Sequence, residues 1–162
     1  MGFEYELLKR FTELHDLELE VKVVYNMDEI ITMLNKGEGD LVAANITVTK
    51  ERGKIVSFSK PLLKTRQVLI QNRKNPNKIT NASELGGRTV HVRGGSSFYD
   101  RLKNLEDELG QNIDIVALSD SNDYGVLNKT IQLIDQVASG EIEFTVADEN
   151  IAKVQKKMYP NI

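Results

Sequence analysis

The chain has 162 residues, 21 Lys and Arg against 24 Asp and Glu, a formal charge of −3 and a hydrophobic content of 40%. That is enough apolar material for one domain or two small ones. The near balance of charge, without a basic run interleaved with aromatics, argues against a nucleic-acid partner. No apolar run reaches the length of a membrane span or a signal segment, and the lack of cysteine excludes disulfides and thiolate chemistry.

Phe3, Leu7, Phe11 and Leu14 recur at helical spacing, which predicts an amphipathic helix over residues 3–15. Leu19, Val21, Val23 and Tyr25 alternate with Glu20, Lys22 and Val24 and predict a strand. Asp28 is suited to cap a short helix carrying Ile30, Ile31 and Leu34, which Gly37 ends. A strand over residues 40–44 then runs into the polar turn Asn45-Ile46-Thr47-Val48-Thr49-Lys50-Glu51-Arg52. A further strand is predicted over residues 66–71. The polar, proline-bearing run 72–78 after it reads as a crossing between lobes, giving lobe 1 as 1–71 and lobe 2 as 72–162.

In the second lobe the pattern predicts a helical turn over residues 81–85, a strand over 89–92 and the turn Arg93-Gly94-Gly95-Ser96-Ser97. A helix carrying Phe98, Leu102, Leu105 and Leu109 follows. Next come a strand over 113–118, a polar loop through Asn122-Asp123, a helix over about 128–138 that Gly140 stops, and a strand leading from Phe144 to Asp148. Alternating helices and strands of this length indicate parallel sheets with crossover helices.

The halves repeat. Residues 33–45 and 136–148 both show an apolar helix ending at Gly-Glu, an acidic residue opening a strand, and a strand finishing on a polar side chain, Asn45 or Asp148. Each lobe therefore reads as a βαβαβ sheet. The repeat leaves a gap, because the strand over 89–92 has no counterpart before Phe3, and no segment returns to lobe 1 at the end. The first strand of lobe 1 and a C-terminal return segment are thus expected to be missing, with self-association through the empty strand position as one consequence.

The polar groups at the strand ends form a candidate site, since open α/β sheets bind ligands outside the carboxyl ends of their strands. Arg52 offers a planar fork that matches a carboxylate, and the Thr47 hydroxyl lies beside it in sequence. Ser96 and Ser97 stand at a strand-to-helix junction, where free N–H groups favour an anion. Asp148 can accept from an ammonium. Together they describe a site for an α-amino acid or a peptide terminus.

Enzyme chemistry has less support. His15 and His91 are far apart in sequence, and no metal-ligand spacing, nucleophile elbow or phosphate loop occurs. Asp148 is the one candidate acid or base, so no catalytic residue, metal or cofactor is expected.

With these residues in view, the chain resembles the family 3 solute-binding proteins. The resemblance rests on Gly2-Phe3-Glu4-Tyr5-Glu6-Leu7, Gly37-Glu38-Gly39-Asp40-Leu41-Val42, Ile46 through Arg52 with Phe58-Ser59-Lys60-Pro61, and Gly140 through Asp148. It implies the two-lobe type II periplasmic binding fold, a periplasmic location and a small-molecule ligand. It further implies that Arg52 clamps a ligand carboxylate, Thr47 adds its hydroxyl and Asn45 a backbone carbonyl, while Ser96 and Ser97 close from the other lobe and Asp148 holds an amine. The runs 91–99 and 146–152 with Tyr159-Pro160-Asn161 are most similar to the binding module of membrane-bound lytic murein transglycosylases. That similarity implies an amino acid or cell-wall peptide ligand, a lysozyme-like catalytic domain elsewhere in the parent chain and outer-membrane association. The alternative within the family is the receptor of an amino-acid importer, with an ABC permease as partner.

Overall fold

The computed structural model describes residues 2–24, 27–118 and 126–162, with side chains of residues 27–28 and 126–128 also left aside. The chain divides into two compact units, Met1–Lys60 and Pro61–Ile162.

The first unit opens with α1 (Phe3–Leu14), which begins at the predicted residue and carries Glu4 and Glu6 in its first turn, where acidic groups favour the helix dipole. It ends at His15, whose ring lies 4.6 Å from that of Phe11. The second helix, α2 (Met27–Asn35), includes Asp28; the cap expected of Asp28 rests on a side chain outside the described residues. A 3₁₀ turn, Arg52–Lys54, follows.

The strands predicted over residues 19–25 and 40–44 are not formed among the described residues of this unit. A strand exists through its ladder, and neither segment has a pairing partner there. Their alternating apolar residues consequently stay in water, as do those of α1: Phe3 is 72% exposed and Leu14 80%, with Val21, Val23 and Leu41 all more than half exposed. Among the described residues of this unit, Ile30 is the one buried apolar side chain.

The second unit follows the predicted plan closely. Its elements are β1 (Gln67–Gln71), β2 (Thr89–Arg93), α3 (Ser97–Leu109), β3 (Asp114–Leu118), α4 (Val126–Ser139), β4 (Phe144–Asp148) and α5 (Glu149–Met158). A 3₁₀ turn, Ala82–Leu85, precedes β2 and is held by a capping box between Asn81 and Glu84. The polar loop expected through Asn122-Asp123 lies outside the described residues.

The sheet order is β1-β4-β2-β3. β2 is parallel to β3 and to β4, while β1 is antiparallel to β4. That pairing places β1 in the second unit's sheet, although the lobe 1 range expected from the sequence, 1–71, contained it. Both faces of the sheet are covered. Val90, Val92, Phe144 and Val146 pack with Phe98 and Leu102 of α3, while Ile70 and Ala147 pack with Ile134 and Val137 of α4. Burial on two faces is why β4 is closed to solvent at four successive residues, whereas β2 alternates.

The internal repeat survives in hydrogen bonds. After α2, Gly37 N–H donates to Leu34 O and Glu38 N–H to Met33 O; after α4, Gly140 N–H donates to Val137 O and Glu141 N–H to Gln136 O. Gly37 and Gly140 both take positive φ, 75° and 85°. Each helix thus stops in the same left-handed motif, which turns the chain back toward a strand position.

Candidate functional site

In the first unit, Asn45, Thr47 and Arg52 lie within one turn. Asn45 has φ 49°, and its backbone N–H donates to a Glu4 carboxylate oxygen at 2.8 Å. The Arg52 guanidinium donates through Nη1 to the Thr47 carbonyl at 3.1 Å, and the Arg52 N–H donates to the Thr49 hydroxyl at 3.2 Å. The chain itself therefore aims Arg52: the Thr49 hydroxyl holds the first N–H of the 3₁₀ turn that carries it, and the Thr47 carbonyl fixes one prong of its fork. A guanidinium held in this way keeps donors in one geometry for a planar anion. The expectation for Thr47 concerned its hydroxyl; it is the Thr47 carbonyl that accepts from the Arg52 guanidinium.

In the second unit, the carboxyl ends of β2 and β4 and the start of β1 share one edge of the sheet. Ser96 is the N-cap of α3. Its hydroxyl donates to Arg93 O at 2.6 Å and accepts from the Tyr99 N–H at 3.4 Å. Ser97, the first residue of the helix, is buried, and Ser96 is 1% exposed. The Ser97 hydroxyl accepts from Gln67 Nε2 at 3.1 Å.

Asp148 closes β4 at the N-cap position of α5, without a side-chain cap bond. Burial pushes its carboxyl above the usual carboxylate range, and the nearby Arg93 guanidinium pulls it back. Ser96, Ser97 and Asp148 are thus brought to one sheet edge.

Two neighbours of that edge were missed from the sequence. Gln67 pairs with Asp148 across the β1–β4 ladder, and Arg93 ends β2. Gln67 sits in an apolar run, where its one signal was a polar residue opening the strand. Arg93 was visible only as part of a turn. The adjacent Glu149 is engaged elsewhere: it accepts from Arg66 Nη2 at 2.8 Å and pairs with Lys153 at 3.3 Å.

Of the two histidines, His91 is half-buried in β2, where its carbonyl accepts from the Thr145 hydroxyl at 2.8 Å. A cavity of about 410 Å³ in the second unit, lined by Leu69, Arg73, Lys78, Lys153 and Lys156 among others, contains none of the candidate residues. No helix among the described residues is long and apolar enough to cross a membrane.

Comparison with known proteins gives a family, two relatives and a solved structure. Residues 1–160 match the family described as bacterial extracellular solute-binding proteins, family 3. The membrane-bound lytic murein transglycosylase F of Desulfosudis oleivorans is 38% identical over 100% of this chain and 34% of its own length. The protein of the same name from Saccharophagus degradans is 31% identical over 98% of this chain and 30% of its own. The chain thus spans about a third of these relatives. A solved ancestral arginine-binding protein bound to arginine aligns with a TM-score of 0.75 at 26% identity, covering 99% of this chain and 66% of the solved one. The α/β type II periplasmic binding fold implied by the sequence is borne out by that likeness.

Proposed function

The chain belongs to the bacterial extracellular solute-binding proteins, family 3, and from that premise we propose that it is the amino-acid or cell-wall-peptide receptor module of a lytic murein transglycosylase. The observation that carries the reading is the held Arg52 fork: a guanidinium whose direction is set by the Thr47 carbonyl is a carboxylate clamp prepared in advance. Asn45 and Thr47 would complete that clamp. Asp148, with Ser96 and Ser97 beside it, has the complementary chemistry, an acceptor for an amine and hydroxyls for polar atoms.

The relatives' names support a membrane-bound parent that acts on murein; the reading adds a lysozyme-like domain in the same chain, a periplasmic location and outer-membrane association. In that reading this segment senses and the other domain cuts. The solved arginine-binding protein favours the alternative, the receptor of an amino-acid importer working with an ABC permease. Self-association through the empty strand position expected in lobe 1 is the remaining partner reading, and a monomer in light scattering would remove it.

Calorimetric titration with the twenty L-amino acids and with peptidoglycan stem peptides tests the proposal. Heat from a peptide but from no single amino acid would support the cell-wall reading. Heat from one amino acid alone would favour the importer. Silence from the whole panel would refute both.

A further inference from the structure

Gln67 and Asp148 occupy opposite positions on antiparallel strands β1 and β4. The next pair along, Arg66 and Glu149, shares a backbone bond, Glu149 N–H to Arg66 O at 2.8 Å. Gln67 and Asp148 are therefore the non-hydrogen-bonded kind of pair, with Cα atoms about 4.5 Å apart and both side chains on one face of the sheet. Gln67 Nε2 is committed to the Ser97 hydroxyl at 3.1 Å. That leaves Oε1, which is buried and has no hydrogen-bond partner among the described residues. A buried carbonyl oxygen without a donor is costly and calls for an explanation.

We propose that Gln67 is a specificity-determining ligand contact, its side-chain carbonyl acting with the Asp148 carboxylate to accept the N–H groups of a primary ammonium. The proposal rests on the amino-acid reading above and names the residue that selects the amine. An ammonium carries three donors in a compact head. Asp148 supplies the charge, and the amide carbonyl supplies a second acceptor without adding another, so the two carbonyl-bearing groups need not repel each other. Burial raises the Asp148 carboxyl although the Arg93 guanidinium is near, and a further cation at that carboxylate would favour its charged form. The bond to the Ser97 hydroxyl sets the amide orientation, with Nε2 toward Ser97 and Oε1 turned away from it. An acylated nitrogen offers one N–H and no charge, and would leave either Oε1 or the carboxylate unmet.

The test is calorimetric titration of the chain with L-arginine, L-glutamine and L-Ala-D-Glu, each against its Nα-acetyl form, in the wild type, Gln67→Met and Gln67→Glu. Met keeps the length without an acceptor, and Glu keeps acceptors. Expected is that the wild type prefers the free amines and that Gln67→Met loses roughly tenfold for them, as for a hydrogen bond to a charged group. Its preference over the acetyl forms should shrink in step, and Gln67→Glu should restore it. The inference is overturned if Gln67→Met, folded by circular dichroism, keeps the wild-type preference. It is equally overturned if free and acetylated forms weaken together, since that marks a structural role. If the wild type binds none of the six probes, the amino-acid reading falls and the inference with it.

Discussion

The backbone N–H of Asn45 donates to the Glu4 carboxylate at 2.8 Å, joining the first turn of α1 to the turn that leads into Arg52, 41 residues further on. Asn45 makes that bond from the left-handed region, φ 49°, which asparagine tolerates and β-branched residues do not. Asn45→Gly should leave stability near the wild type, whereas Asn45→Val should cost about 1–2 kcal/mol. Thermal melts of the two variants decide it. Equal midpoints would show that the turn is not held in that conformation.

The repeated helix stops make a second expectation. Gly37 and Gly140 have φ of 75° and 85°, and a Cβ at either would meet no atom within 4 Å. The penalty of Gly37→Ala or Gly140→Ala is therefore backbone strain alone, about 1 kcal/mol each. Denaturant midpoints should fall by similar amounts for the two. A much larger loss at one would mean that the two stops are not equivalent.

The same repeat shows what the sequence could carry. Helix stops are local, and Gly-Glu after an apolar helix was legible in both halves. So were the helices starting at Phe3 and near Ser97 and the strand ending at Asp148. Strand pairing is not local: residues 19–23 alternate as clearly as residues 89–93, yet among the described residues only the latter have ladder neighbours. Alternation reports the face a strand would bury, not whether a ladder exists. The candidate site was legible where polar residues interrupt apolar strands at their ends, as with Ser96, Ser97 and Asp148. Gln67 was not, because its meaning lies in an antiparallel partner 81 positions away in the ladder.

That contrast predicts hydrogen-exchange behaviour. Amides of β2, β4 and α4, bounded by Val90, Val92, Ile134 and Phe144 at 0% exposure, should be the slowest in the chain. Residues 19–24 and 40–44 should exchange near the intrinsic rate. Strong protection in those two segments would mean that a partner pairs with them in solution.

Two carboxyls should leave opposite signatures in acid. Glu84 accepts from the backbone N–H and hydroxyl of Thr80 and from the Asn81 N–H, and these bonds hold its carboxyl below the ordinary 4.5. Its folded pKa is below its unfolded one, so its contribution is present above pH 4.5 and is lost as pH falls through the lowered value. Asp148 runs the other way: burial raises its carboxyl above the ordinary 3.8, so it costs stability above the raised folded value and ceases to do so as pH falls toward 3.8. Glu84→Gln should thus be destabilised at neutral pH and Asp148→Asn stabilised, with both differences closing in acid. Urea midpoints between pH 3 and 7 measure this, and parallel pH profiles for the two variants would refute it.

The central claim is that Arg52 clamps a ligand carboxylate, and the thermal midpoint of wild type and Arg52→Ala with rising L-arginine, L-glutamine or L-Ala-D-Glu tests it most directly. A ligand at a hundredfold excess over its Kd adds about 2.7 kcal/mol to the folded state, roughly a 5–10 °C rise for a chain of this size. The account predicts that rise in the wild type for at least one of the three and its loss in Arg52→Ala. An equal rise in both proteins, or none in either, would contradict it.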